Sequence, residues 1–186
     1  LLDYIATYPN VFLRYHASDM ILTVDSDAAY LVEPNARSHI AGYFQLNSNK
    51  RSNQYINGAI LIECKTLRHV VASSAEAETA GLFHNSQVAL PIRYMLEQMS
   101  HKQAKTPMKT DNMMSKNFIH NNIAQRRSKS WDMRYYWLRD KENQGKFDFY
   151  WDKSENNHGD YYTKHHTAKY HSIIRPKYVH DRTLLS

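Results

Sequence analysis

Three strand-like segments follow one another between residues 20 and 70, and this run most restricts the folds that the chain can adopt. Apolar and β-branched residues cluster at 20–30, 34–46 and 58–70, and a polar, turn-rich stretch precedes the third cluster. Consecutive strands joined by short loops pair antiparallel. The pattern therefore predicts a three-stranded antiparallel meander as the first half of a sheet.

After this meander, helical and strand-like periodicities alternate. From Ser73 to about Ser100 the apolar residues recur with helical spacing, and Pro91 is expected to kink this helix or divide it in two. Further strands are predicted at 105–112 and 147–152, and further helices at 112–122, at 131–146 and after the last strand. Strands separated by helices are typical of parallel pairing. The sequence thus predicts an α/β domain with a five-stranded mixed sheet, three antiparallel strands followed by parallel ones, flanked by helices.

The composition bounds the function. The 186 residues suffice for one ordinary domain, and 42% are hydrophobic, which predicts a folded chain. Lys and Arg exceed Asp and Glu by 24 to 18, and 14 tyrosines add aromatic surface, a combination that suits a nucleic acid. The same excess of basic residues is also explained by surface charge that only keeps the protein in solution. No apolar run reaches the roughly 18–20 residues of a membrane span, so no membrane partner is expected.

Acidic residues stand where the predicted strands end and where the first long helix begins. They are Asp25, Asp27, Glu76, Glu78, Asp111 and Asp160. Carboxylates are the ligands that Mg²⁺ prefers, and two such ions about 3.5–4 Å apart can activate a water molecule and stabilise the leaving oxygen in phosphodiester hydrolysis. An aspartate at a strand end is more often only a turn former.

The two acidic doublets differ in what periodicity says about them. Asp25 and Asp27 point to the same face of a strand, so alternation does not separate them. Glu76 and Glu78 lie roughly 200° apart around a helix. Ser73 and Glu76 have the spacing of a capping box, with Glu76 accepting the backbone N–H of Ser73. Glu78 instead falls on the apolar stripe that should face the sheet, with Leu82, Ala89, Ile92 and Leu96.

Five stretches, in order along residues 21–166, carry a family resemblance: VDSDAAYLVEPNARSHIAGYF, VASSAEAETAGL, KTDNMMS, RRSKSWDMRYYWLRD and NNHGDYYTK. Together they resemble the ribonuclease H domain of copia-type LTR retrotransposon Pol polyproteins. The stretch LLDYIATYPN resembles the tail of the reverse transcriptase region that precedes this domain. The resemblance implies a connecting segment at 1–19, a ribonuclease H-like domain at 20–170 and a C-terminal tail at 171–186.

The resemblance also implies an activity, the hydrolysis of the RNA strand of RNA–DNA hybrids with two Mg²⁺ ions, for which Mn²⁺ can substitute. Carried over by motif, the catalytic and metal-binding carboxylates are Asp27, Glu78, Asp111 and Asp160. Glu78 and Asp111 would hold the ion that activates water, Asp27 would bridge both ions, and Asp160 would help to hold the other. Gly159 departs from the family, which has alanine before the last aspartate.

The implied partners are the RNA–DNA hybrid and the upstream reverse transcriptase region, and the implied location is the cytoplasm, inside a virus-like particle. Four cations, interleaved with aromatic residues, are expected to contact phosphates: Arg126, Arg127, Lys129 and Arg134. Trp131, Tyr135 and Leu138 recur with helical spacing and are expected to lie mostly in the core. His158, two residues before Asp160, is a candidate for product release.

Two other functions remain open on the sequence. A catalytically inactive nucleic-acid-binding or connector module would bind hybrids without cleaving them, and the retention of all four carboxylates argues against it. An integrase-type or transposase-type enzyme would need a late glutamate on the last helix, but Glu155, the late candidate, lies in an Asn-rich loop. Cys64, Ser73 and Ser74 are set aside as nucleophiles because the sequence shows no positioned histidine–acid pair beside them.

Overall fold

The computed structural model describes residues 2–48, 56–113 and 129–181, with side chains throughout except at 129–132. The strands in this part of the chain are β1 (Val11–Phe12), β2 (Ile21–Glu33), β3 (Arg37–Asn47), β4 (Ala59–Thr66), β5 (Thr106–Thr110), β6 (Phe147–Trp151) and β7 (His180–Asp181). The helices are α1 (Leu2–Thr7), α2 (Ser74–Gln98), α3 (Lys129–Asn143), α4 (Asp160–Thr163) and α5 (Ala168–Ile174). The helix expected at 112–122 lies, apart from Asn112 and Met113, outside the described residues.

The main sheet has five strands in the order β4-β3-β2-β5-β6. β2 pairs antiparallel with β3, and β3 with β4, whereas β2 pairs parallel with β5, and β5 with β6. The predicted sheet, three antiparallel strands followed by parallel ones, is confirmed. Parallel neighbours need a long crossover, and α2 and α3 lie in the two connections that supply it. β2 therefore lies at the centre, where the antiparallel and parallel halves meet.

The long helix α2 begins as its sequence predicts. The hydroxyl of Ser73 accepts the backbone N–H of Glu76 at 3.2 Å. The Glu76 carboxylate accepts the N–H of Ala72 at 2.8 Å, one residue earlier than the capping box predicts. Glu76 is thus part of the helix cap. Pro91 lies inside α2, and the helix runs through it to Gln98 without being divided.

The main core lies between the sheet and the helices α2 and α3. Its buried residues are Leu22, Val24, Phe44, Leu82, Ala89, Leu96, Met108, Tyr135, Leu138, Phe147 and Phe149. The stripe predicted on α2 is confirmed, with Ile92 at the edge of this core. Tyr135 and Leu138 are buried as predicted, whereas Tyr136 is 53% exposed. Helical spacing therefore predicts these two buried positions correctly, whereas the side chain of Trp131 is not among those described.

A buried side chain fixes α2 against the sheet. Asn85 donates hydrogen bonds to the Ser26 hydroxyl at 2.8 Å and to the Ala41 carbonyl at 2.9 Å. The contact needs a glycine below it, since a Cβ on Gly42 would lie 2.5 Å from the Asn85 Oδ1 atom. Glu78 precedes Asn85 by seven residues, which is two turns along the same face. By holding α2 against the sheet, Asn85 therefore also helps to position Glu78 relative to β2.

The two ends of the described chain contact each other. β1 and β7 form a separate two-stranded antiparallel sheet, in which Phe12 pairs with His180. The Arg175 guanidinium donates to the Tyr4 hydroxyl at 2.7 Å and lies 3.8 Å from the centre of the Tyr8 ring. The segments predicted as a connector and a tail thus pack together. None of the described helices is both long enough and apolar enough to cross a membrane.

Replacing Leu82 with alanine tests the helix–sheet core. Leu82 is fully buried, so Leu82→Ala should lower the free energy of unfolding by about 2–5 kcal/mol in chemical denaturation. Met95→Ala is the matched control on the same helix, because Met95 is 63% exposed, and it should change the free energy by less than about 0.5 kcal/mol. Equal effects of the two substitutions would contradict the orientation of α2.

Candidate active site

Asp27 supplies the first carboxylate, from the middle of the central strand β2. Asp27 is 2% exposed, and its Oδ2 atom accepts a hydrogen bond from the Thr163 hydroxyl of α4. The Asn157 amide lies 3.5 Å from Oδ1. These contacts come from the segment that follows β6, so the late part of the chain orients a carboxylate in the first long strand.

Glu78 supplies the second carboxylate, from the first turns of α2. It is 5% exposed, and its Oε1 atom accepts the backbone N–H of Ala28 at 3.2 Å. Its Oε2 atom is buried and has no hydrogen-bond partner among the described residues. A buried carboxylate oxygen without a partner is costly, since it loses water and gains nothing in return. Glu78 therefore presents one free oxygen to the site.

Asp111 completes a cluster of three carboxylates. It directly follows β5, where the parallel strand ends beside β2. One carboxylate oxygen from each of Asp27, Glu78 and Asp111 lies within 4.8 Å of the others, and within the described ranges this is the one such group of possible metal ligands. Asp111 is partly exposed, unlike its two neighbours. Two members of the cluster are therefore buried, and the third reaches solvent at the end of β5.

The electrostatics of the cluster favour a bound cation. Burial raises the pKa of Asp27 to about 6, and the negative charges of Asp111 and Asp160 contribute. Burial likewise raises the pKa of Glu78 well above its ordinary value, and Asp27 and Asp111 raise it further. Buried like charges repel one another. A divalent cation bound by oxygen ligands would reduce this repulsion and give the free Glu78 oxygen a partner. The donor set fits Mg²⁺ or Mn²⁺.

Asp160 lies beside this cluster rather than within it. It is the first residue of α4, and its carboxylate accepts hydrogen bonds from the Lys164 ammonium group and from the Ser154 hydroxyl, the latter at 3.1 Å. Its charge still acts on Asp27. The structure thus brings three of the four carboxylates named by motif to one point and places the fourth next to Asp27.

Gly159 stands where the family that the sequence resembles has alanine, and the structure shows what a glycine permits there. A Cβ at this position would lie 3.0 Å from the Cβ of Asp27 and 3.1 Å from the Asp25 carbonyl oxygen. Glycine therefore lets the loop before α4 lie directly against β2. Here the backbone, and not a side chain, makes the contact that brings Asp160 close to Asp27.

Several residues that shape the site are not predicted by the sequence patterns. They are Thr163 and Lys164, which hold the carboxylates of Asp27 and Asp160, together with Asn85, Lys109 and Asn157. The Thr-Lys pair belongs to the last motif, so its place in that motif was the available signal. Lys109 forms an ion pair with Asp25, with the Nζ and Oδ2 atoms 3.2 Å apart. Asp25 is therefore already paired, which agrees with assigning the metal-binding role to Asp27.

The predicted histidine and cations have mixed outcomes. His158 packs its ring against Tyr43, with ring centres 5.6 Å apart, and burial lowers its pKa, while its role in product release stays a prediction. Arg134 donates to the His69 ring at 3.0 Å. Arg126 and Arg127 lie outside the described residues, and the side chain of Lys129 is likewise undescribed. Their role in binding nucleic acid stays a prediction.

Cys64 does have a histidine–acid pair beside it, although the sequence did not show one. The His39 Nε2 atom lies 3.0 Å from the thiol sulfur, and the Glu33 carboxylate lies 3.0 Å from His39 Nδ1. Burial and the charge of Glu33 raise the pKa of the Cys64 thiol, so it stays protonated and donates to the Tyr162 carbonyl at 3.2 Å. The thiol therefore joins β4 to α4 as a hydrogen-bond donor.

The fold of the chain is similar to that of solved structures. No family model matches the chain, and no curated protein matches it. The N-terminal RNase H domain of a Mycobacterium tuberculosis protein is similar with a TM-score of 0.56 and 9% identity, over 77% of this chain and 91% of that chain. LC11-RNase H1, solved in complex with an RNA/DNA hybrid, is similar with a TM-score of 0.54 and 8% identity, over 76% of this chain and 92% of that chain. The chain has the ribonuclease H fold.

Removing one buried charge from the cluster should stabilise the protein when no divalent cation is present. The folded state raises the pKa of Asp27 from 3.8 to about 6, so the ionised carboxylate opposes folding above pH 6. Asp27→Asn should therefore raise the free energy of unfolding by roughly 1–3 kcal/mol at pH 7.5 in EDTA, and the gain should fade as the pH falls towards 4.

The matched control is Asp152→Asn. Despite partial burial, hydrogen bonds from Asn156 and the Lys153 N–H lower the pKa of Asp152, so its charge favours folding. Thermal denaturation in EDTA should show no stabilisation for this variant. A melting temperature of Asp27→Asn at or below that of the wild type at pH 7.5 would contradict the conclusion that the buried Asp27 charge destabilises the folded state.

Proposed function

We propose that this protein is a metal-dependent endoribonuclease that hydrolyses the RNA strand of RNA–DNA hybrids. The observation that carries the proposal is the convergence of Asp27, Glu78 and Asp111 on a ribonuclease H fold, each from the motif that the sequence resemblance assigns to it. A protein of the same fold binds an RNA/DNA hybrid, which supports the choice of substrate.

The metal site would consist of the three clustered carboxylates and Asp160, holding two Mg²⁺ ions or Mn²⁺ in their place. The free buried oxygen of Glu78 and the raised pKa values of Glu78 and Asp27 support a site built for cations. When bound, the ions would supply the activation of the attacking water and the stabilisation of the leaving oxygen. No side-chain general base is then required.

The chain's own residues hold these ligands in place. The Ala28 N–H fixes one Glu78 oxygen and leaves the other free, and the Thr163 hydroxyl fixes the orientation of Asp27. The Lys164 ammonium group balances the charge of Asp160. Such hydrogen bonds to ligand side chains typically raise metal affinity or activity about 10- to 100-fold. His158 is retained as the proposed product-release residue.

The nucleic acid would lie across the basic part of the chain near α3. Arg126, Arg127, Lys129 and Arg134 are proposed to contact the phosphates, with the hybrid recognised through its shape and its 2′-hydroxyl groups. The motif resemblance supports a copia-type retrotransposon Pol origin, with the reverse transcriptase region as a partner and reverse transcription in a cytoplasmic virus-like particle as the setting.

Asp111→Asn is the direct test of the activity. Asp111 would hold a metal ion and contributes little to the core, so the variant should lose Mg²⁺-dependent cleavage of a labelled RNA–DNA hybrid while folding and hybrid binding stay largely intact. Single-stranded RNA and double-stranded DNA serve as substrate controls. Asp140→Asn is the matched variant, since the Asp140 side chain is 56% exposed on α3, and it should cleave like the wild type.

Undiminished cleavage by Asp111→Asn would contradict the site assignment. A wild-type protein that binds the hybrid, with a strong dependence on salt, but cleaves it in neither Mg²⁺ nor Mn²⁺ would instead identify an inactive binding module.

Metal binding can be measured without any activity. Mg²⁺ at ten times its dissociation constant should stabilise the wild type by about 1.4 kcal/mol, because it binds the folded state alone. Glu78→Gln should lose most of this gain in calorimetric melting. Glu76→Gln, on the same helix, removes a charge but keeps an oxygen for the Ala72 N–H, and it should keep the full Mg²⁺ gain. A gain that survives in Glu78→Gln would contradict the assignment of Glu78 as a ligand.

A further inference from the structure

A buried ion pair lies directly beneath the candidate metal site. Asp25 on β2 and Lys109 on β5 are each 2% exposed, and they occupy paired positions of the two parallel strands. Each precedes a cluster carboxylate, Asp27 or Asp111, by two residues. Asp25 therefore lies on the same face of the sheet as Asp27.

Both members of the pair also contact the loop between β6 and α4. The Lys109 ammonium group donates to the Asn156 carbonyl at 2.8 Å, and the Asp25 carboxylate accepts the His158 N–H at 3.1 Å. Between these two points, Asn157 donates to the Ser26 carbonyl at 2.8 Å. Three consecutive residues of the loop are thus held against β2 and β5, and Asp160 follows two residues later.

Energetics indicate that the pair has a role other than joining the two strands. Burying two charges is costly, and an apolar pair of similar volume often stabilises a protein equally well or better. An apolar pair could not, however, bind a main-chain carbonyl and a main-chain N–H of the loop. The contacts that specifically need Asp25 and Lys109 are therefore those to Asn156 and His158.

We infer that Asp25 and Lys109 are positioning residues, which hold the loop 154–159 so that Asp160 lies beside Asp27. The catalytic part of this inference rests on the proposed function, whereas the anchoring of the loop does not. The same contacts explain why Asp25 differs from Asp27 despite facing the same way. Lys109 neutralises the charge of Asp25, so Asp25 serves the loop and leaves the metal site to Asp27.

Two double variants test the inference. Asp25→Leu with Lys109→Met removes the charges together and keeps an apolar, filled interior. It should lower kcat for hybrid cleavage about 10- to 100-fold, with KM within twofold, because the ligand moves while the hybrid-binding surface does not. Asp25→Asn with Lys109→Met keeps an oxygen for the His158 N–H, so its kcat should be at least fivefold higher than that of the Leu-containing variant.

Hydrogen–deuterium exchange gives a second readout that is independent of activity. In the Leu-containing variant the amides of 157–160 should exchange at least tenfold faster than in the wild type, while those of α2 stay unchanged. The Asn-containing variant should retain protection at His158. If the Leu-containing variant does not fold, the Asn-containing variant tests the inference by itself. It lacks the Lys109 contact to the Asn156 carbonyl, and this loss alone should speed amide exchange in the loop.

The control is Glu63→Gln with Lys65→Gln, which removes the ion pair on β4, where Nζ and Oε2 are 2.6 Å apart, and should leave both kcat and loop exchange unchanged. Unchanged loop exchange in the Asp25 and Lys109 variants would overturn the inference, as would faster exchange spread evenly over the chain. An effect on KM alone would also overturn it. Should the wild type not cleave hybrids, the proposed function fails and the exchange measurements still decide on the anchoring.

Discussion

The repulsion among carboxylates buried at one point is the constraint on which the rest of this structure depends. Such a cluster opposes folding, so every element around it must hold an unfavourable group in place. Asn85 fixes α2, the Ala28 N–H fixes one oxygen of Glu78, and the Thr163 hydroxyl fixes Asp27. Burial of the apolar core between the sheet and the helices α2 and α3 offsets the unfavourable free energy of this cluster.

The fold was largely predictable because its elements have local signatures. Strand and helix periodicity gave the order of the elements, and the switch from consecutive strands to alternating ones gave the mixed sheet. The same periodicity separated Glu76 from Glu78, since a helix turns their side chains to different faces. The capping-box spacing of Ser73 and Glu76 predicted the capping serine, although the glutamate accepts an N–H one residue earlier than expected, at Ala72.

The site was only partly predictable, because its remaining details are contacts between residues distant in sequence. Alternation could not separate Asp25 from Asp27, and only the neighbouring strand, with Lys109, makes them chemically different. The contact of Cys64 with its histidine–acid pair likewise involves three strands, with Cys64 on β4, His39 on β3 and Glu33 on β2. Asp160 was found by motif, but its offset from the three-carboxylate group depends on Lys164 and Ser154, which the motif does not specify.

The buried pair holds the loop before α4 through the loop's backbone, and this has a consequence for how the protein can evolve. Asn156 and His158 offer a carbonyl and an N–H to the buried pair, so their side chains take no part in those two bonds. The Asn156 side chain is exposed, so its mutation can change the surface of the loop while the neighbouring carboxylate keeps its place. Asn157 and Gly159 are less free to change, because the Asn157 side chain donates to the backbone of β2 and a Cβ at Gly159 would lie 3.0 Å from β2. A few consecutive positions thus combine a variable surface with a fixed backbone.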